Sequence, residues 1–103
     1  GFSALQVKIR FSMQKRQERD LAIDTLRKAE LLLLSGRLSP ADVQKAADNA
    51  QAAQEDFDNA RRIAALGGVL LRIPDPTARD AERILGQRQQ LQQPHESPTP
   101  RNN

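Results

Sequence analysis

The chain has no cysteine, tryptophan or tyrosine, and its one histidine is His95. Without cysteine there are no disulfides and no thiolate metal sites, so the fold has to be held by packing. A lone histidine in a proline-rich stretch leaves no means of assembling a histidine-based triad, acid/base pair or metal cluster. The aromatics are Phe2, Phe11 and Phe57, too few for the stacking platforms of single-strand nucleic-acid binders. No apolar run approaches the roughly 18 residues of a membrane span, and the first residues lack the charged-then-apolar pattern of a signal peptide. The expectation is a cytoplasmic chain with no membrane span, Gly1 leaving open that it is a fragment.

Ala, Leu, Gln, Arg, Glu and Asp dominate the rest, a composition of close-packed helices. From Gln87 onward the chain reads QRQQLQQPHESPTPRNN, which has few apolar groups to bury and is expected to be disordered. That leaves one helical domain at residues 1–86 and a Gln/Pro-rich tail at 87–103. A domain of that size buries only about 60–65% of its unfolded surface and is marginal without a partner.

The centre of the chain, ELLLLSGRLSPADVQKA at residues 30–46, is punctuated as a helical hairpin. Gly36 can take the left-handed conformation that closes a helix. Ser39 before Pro40 is an N-cap followed by proline at the first helical position, Leu38 and Val43 form a hydrophobic staple, and Asp42 completes a capping box. In the second helix Val43, Ala46, Ala50, Ala53, Phe57, Ala60 and Ala64 repeat at spacings of three and four, a heptad seam of the coiled-coil kind. In the first, Ala22, Leu26, Ala29 and Leu33 keep the same rhythm. So short a loop makes the helices antiparallel, with Leu33 meeting Val43, Ala29 meeting Ala46, Leu26 meeting Ala50 and Ala22 meeting Ala53. Residues 1–28 hold seven basic and three acidic side chains and residues 42–58 hold one and five, so the register brings Arg16 and Arg19 alongside Glu55, Asp56 and Asp58.

At residues 4–13, Leu5, Val7, Ile9, Phe11 and Met13 alternate with polar residues, which favours a strand. Against it, Phe2, Ser3, Gln6 and Val7 fit a staple and capping box that starts the helix early. Gly67 and Gly68 stop the second helix. The apolar run up to Pro74 is either a strand at 68–73 pairing with residues 4–13 or a linker packed on the helices. Asp75 or Thr77 caps a last helix, PTARDAERILGQRQQ, with Ala78, Ala81, Ile84 or Leu85, and Leu91, on one side. The fold class is thus all-α: an antiparallel hairpin with a short third helix, the strand pair left open, dimerising into a four-helix bundle.

On a helical wheel the hairpin seam leaves Leu21 and Leu32 on one flank of the first helix and Ile23, Leu31 and Leu34 on the other. A two-helix hairpin cannot bury both flanks, and each leucine left in water forfeits about 1.5–3 kcal/mol. The residues after position 68 can cover one flank. The other is an association surface for a second copy or a partner helix.

No enzyme is expected, and no cofactor or small-molecule substrate. The acidic runs at Glu55, Asp56 and Asp58 read as a salt-bridged helix face, and Gly67-Gly68 lacks the residues of a phosphate loop. Ser97 and Thr99 precede prolines, a weak modification pattern.

The reading that follows is a protein-assembly module, a homodimer or an adaptor for another helical protein. A second reading is a double-stranded RNA-binding helical dimer: the pI is near 10.0, and Lys8, Arg10, Lys15, Arg16, Arg19, Arg27 and Lys28 could lie along phosphates. The net charge of only +3 weighs against it. A third comes from resemblance. LRKAELLLLSGRLSPADVQKAADNAQAAQEDFDNARRIAAL, about forty residues, resembles the helical hairpins of bacterial periplasmic adaptor (membrane-fusion) proteins. There, a leucine-rich helix, a glycine turn, a serine cap and an alanine-repeating return helix lie between lipoyl half-motifs. The flanks LQVKIRF and VLLRIPDP do not show those half-motifs. Small helical chaperones of secretion systems have similar hairpins.

Overall fold

The computed structural model describes residues 4–66 and 73–92, which form three helices: α1 (Ala4–Leu34), α2 (Pro40–Leu66) and α3 (Ala78–Gln92). No strand occurs among the described residues. Residues 4–13, expected as a strand, are instead the first turns of α1. No proline or glycine interrupts the chain between Ala4 and Leu34, so a continuous helix satisfies the amides beyond its first turn locally, whereas a strand would need a partner ladder. Along these turns Leu5, Lys8, Ile9, Ser12, Lys15 and Arg16 are at least half covered, a helical spacing, while Val7, Phe11 and Met13 stay exposed. Of the proposed second strand only Ile73 is among the described residues, and it is buried in an irregular segment.

The turn forms as its residues dictate. Gly36 has φ of 76°, and with it the Arg37 amide reaches the Leu32 carbonyl at 2.8 Å and the Gly36 amide the Leu33 carbonyl at 3.0 Å. This paired arrangement satisfies two carbonyls at the end of α1. Two residues on, the Ser39 hydroxyl accepts from the Asp42 amide at 3.2 Å, and the Asp42 carboxylate accepts from the Ser39 amide at 3.4 Å. The cap of α2 is therefore reciprocal.

Burial between α1 and α2 repeats every seven residues. Ser12, Arg19 and Leu26 in α1, and Val43, Ala50, Phe57 and Ala64 in α2, are all at most 1% exposed. Arg19 lies 5.1 Å from the centre of the Phe57 ring and 3.0 Å from Gln54. Leu26, Val43 and Ala50 share one buried core, and Leu33 packs against it. The hydroxyl of Ser12 donates to the Lys8 carbonyl at 2.9 Å, so this small polar side chain sits in the seam without an unmet hydrogen bond. Elsewhere the seam differs by one residue: Ile23 and Ala47 are buried where Ala22 and Ala46 were expected to be, and Ala22, Ala46 and Ala53 are half-buried.

The shift has a cause in α3. Ala81, Ile84 and Leu85 join Ile23, Leu26, Ala29, Val43, Ala47 and Ala50 in one core, with Leu33 and Leu38 packed against it. α3 thus lies in the groove between the other two helices and draws the buried stripe of each toward itself. Its first turn is fixed by the Ala81 amide bonding the Thr77 carbonyl at 3.0 Å. Thr77 also bonds Asp20, and Ile84 shares a cleft with Ile23 and Arg27, so α3 runs in the direction of α1. The helix continues to Gln92, six residues into the stretch expected to be a disordered tail from residue 87. Gln, Arg and Leu at those positions are good helix formers with no proline before Pro94, which explains the longer helix. Residues 93–103, with His95, Ser97 and Thr99, lie outside the described residues, as do Gly67 and Gly68.

Candidate association surface and a buried arginine

After three helices have packed, four of the five apolar side chains assigned to an association surface remain in solvent. Leu34 is 84% exposed, Leu21 67%, Leu31 66% and Leu32 38%. Leu31, Leu32 and Leu34 occupy the last turn of α1 beside the hairpin loop, and Leu21 lies further back along the helix. The fifth, Ile23, is 7% exposed and belongs to the core. This corrects the expected surface, because α3 covers the flank at Ile23 but leaves Leu31 and Leu34 open. Val7, Phe11 and Met13 near the start of α1, and Ile63 and Leu66 near the end of α2, are exposed as well.

The other concentrated chemistry is at Arg19, which is fully buried. Its Nε–H donates to Asp20 Oδ1 at 2.9 Å. Nη1 donates to Gln54 Oε1 and to Asp75 Oδ2, each at 3.0 Å. Nη2 donates to Asp75 Oδ1 at 2.5 Å and to Thr77 Oγ1 at 2.6 Å. These five bonds match the five N–H groups of a guanidinium, so the buried cation is fully satisfied. Thr77 passes the network on, its hydroxyl donating to Asp20 Oδ1 at 2.8 Å. Beneath lies Phe57, with Arg61 on the same ring at 4.5 Å.

Burial alone would push the Asp75 carboxyl up, but the hydrogen bonds and charge of Arg19, the charge of Arg61 and the Thr77 hydroxyl outweigh it, and the carboxyl is held below its ordinary value. For Arg19, burial works against the charge while Asp75 and Asp20 hold the proton more firmly, and the net direction is upward. A charged pair therefore persists inside the bundle and joins α1, α2 and the segment leading into α3. Arg16 reinforces the same junction, its Nη1 donating to the Pro74 carbonyl at 2.9 Å.

This arrangement corrects the expected charge matching between α1 and α2. Arg19 takes Asp75 and Asp20 in place of Glu55, Asp56 and Asp58. Asp58 is held by Gln54 and Arg61, and Glu55 by Gln51. The seven-residue register turns Arg19 inward and leaves Glu55 and Asp56 exposed on the far side of α2.

The basic residues considered for nucleic acid are scattered rather than brought together. Arg19 is inaccessible, Lys15 pairs with Glu18 at 3.2 Å, and Lys28 pairs with Asp24 at 3.0 Å. Arg16 is committed to Pro74, while Arg10 and Arg27 lie on exposed turns and Lys8 is half-buried. Among the described residues no three metal-ligating side chains converge, and no helix is long and apolar enough to cross a membrane.

No protein-family model, curated protein or solved structure matches this chain.

Proposed function

We propose that the chain is a non-enzymatic assembly module whose helical hairpin self-associates or takes up a partner helix. The observation that carries this reading is the exposure of Leu21, Leu31, Leu32 and Leu34 after α1, α2 and α3 have packed. Scattered apolar side chains are ordinary on a protein surface. Here three of the four fall within four residues at one end of one helix.

Substituting Leu21, Leu31, Leu32 and Leu34 together with Gln tests the reading. Light scattering over a wide concentration range should show a mass that rises for the natural chain and stays constant for the variant, with helix content unchanged. If the natural chain neither associates nor retains a helical partner, the reading is wrong. The double-stranded RNA reading predicts steep salt-dependent retention on duplex RNA, and inaccessible Arg19 argues against it. The adaptor or secretion-chaperone reading rests on the hairpin alone, a feature shared with the assembly reading.

A further inference from the structure

Nine large apolar side chains stand exposed among the described residues, and five of them gather at the end of the hairpin away from its loop: Val7, Phe11 and Met13 on α1, Ile63 and Leu66 on α2. The start of α1 and the end of α2 share that end because the two helices are antiparallel. The charge there is of one sign. Residues 4–17 and 59–66 carry Lys8, Arg10, Lys15, Arg16, Arg61 and Arg62 and no acidic residue, while the chain as a whole has thirteen acidic residues against sixteen basic. The rest of the molecule is therefore net acidic. At the inner margin Glu18 pairs with Lys15 and Asp58 with Arg61, and Arg16, bonded to the Pro74 carbonyl, keeps its charge. The loop end, where Leu31, Leu32 and Leu34 lie, has no such bias, since Glu30, Arg37, Asp42 and Lys45 mix the two signs there.

Apolar and basic groups are interleaved at this end. Arg10 lines one surface cleft with Val7 and Phe11 and a second with Ile9 and Met13. Beyond Phe11 lies Lys15, its Nζ 5.2 Å from the ring centre. At about 100° per residue the exposed arc from Met13 through Arg10 and Val7 to Phe11 covers roughly 160°, nearly half the circumference of α1. The surface is convex, and α3 packs further along the hairpin, against Ile23, Leu26 and Ala29. A partner helix docks in a groove, which a convex face does not offer. A second copy presenting the same end would set cations against cations. Nucleic-acid phosphates would meet the cations but gain nothing from the apolar side chains among them. An anionic bilayer suits both: its headgroups take the cations, its acyl boundary takes the apolar groups, and the long Lys and Arg stems span the two.

We propose that this end of the hairpin is a membrane-surface site, which lies on anionic lipid with Val7 and Phe11 at the acyl boundary and the surrounding Lys and Arg side chains among the headgroups. The contact is peripheral and spans nothing. It goes beyond the assembly reading and makes no use of Leu21, Leu31, Leu32 or Leu34.

The whole natural chain is sedimented with vesicles of neutral phosphatidylcholine and with vesicles in which about one-third of the lipid is phosphatidylserine. Binding to the anionic vesicles should be at least about tenfold tighter and should weaken as salt is raised. Arg10→Gln combined with Arg62→Gln should lower the affinity about tenfold or more, since each cation near such a surface is worth roughly a factor of five. Val7→Gln combined with Phe11→Gln leaves the charge untouched and should also lower it about tenfold. Leu31→Gln combined with Leu34→Gln, at the loop end, should leave it unchanged. All six side chains are exposed, so the variants keep the fold, which circular dichroism verifies. Equal binding to both kinds of vesicle, or none to either, overturns the proposal whatever light scattering reports on self-association. So does binding lost in the arginine variant but kept in the Val7 and Phe11 variant, which is the signature of a bare polyanion contact. Retention on duplex RNA without vesicle binding assigns the cations to that ligand and overturns the membrane site.

Discussion

Arg19 and Asp75, 56 residues apart in sequence, meet inside the bundle through two parallel hydrogen bonds, Nη1 to Oδ2 and Nη2 to Oδ1. The pair fastens the segment before α3 to the hairpin. It also explains how an arginine comes to occupy a position in the seam where leucine would be expected. The desolvation of both charges is offset by a complete set of donors and acceptors, and removing either partner leaves the other stranded.

Asp75→Leu alone and Arg19→Met alone should therefore each cost about 3–5 kcal/mol, read from urea unfolding. The double variant should recover most of that loss, because two apolar side chains in contact need no counter-charge. Single and double variants that lose the same amount would show that the pair is not coupled.

Acid should act through the same contact. Because the native carboxyl of Asp75 is held below its ordinary value, the unfolded chain binds the proton first as pH falls. Asp75 then contributes its full stabilisation above the ordinary carboxylate range, about pH 4, and loses it progressively as pH drops through that range toward its lower native value. The stability difference between the natural chain and Asp75→Asn, followed by thermal unfolding, should be constant near neutral pH and shrink below about pH 4. A difference that grows on acidification would contradict the assignment.

How much of this was legible beforehand depends on how local each signal is. Gly36, Ser39, Pro40 and Asp42 specify the turn within seven residues, and the structure follows them closely. Leu26, Val43 and Ala50 fall on the expected spacing and are all buried. The surroundings of Ile23 and Arg19 both depend on where the chain returns after residue 73, and no local pattern states that. The seven-residue step from Leu26 back to Arg19 and Ser12 was available as a signal. An arginine and a serine are unreadable as seam residues until their partners are known. The strand expectation at residues 4–13 came from an alternation that a helix can also bear.

The turn itself is open to a simple test. Gly36→Ala meets no neighbouring atom, since nothing lies within 4 Å of a Cβ there. Its cost is the strain of a left-handed residue, about 1–2 kcal/mol. Ser39→Ala should cost about 1 kcal/mol through the lost cap. Both are read from thermal or urea unfolding, and a neutral Gly36→Ala would indicate a different turn conformation in solution.

Neighbouring apolar residues of α1 should respond in opposite ways. Ile23→Ala opens a cavity among Ala81, Ile84 and Leu85 and should cost about 2–5 kcal/mol. Leu21→Ala, two residues away and exposed, should change the stability of the single chain by no more than about 0.5 kcal/mol. Equal costs measured at high dilution would mean that α3 does not cover Ile23.

The measurement closest to the central claim is native mass spectrometry of the whole natural chain across a concentration series, because it asks directly whether the uncovered side of α1 meets another copy. The account predicts a dimer whose share grows with concentration and which is absent for Leu21→Asp. A lone monomer peak at every concentration, identical for the two chains, would contradict it.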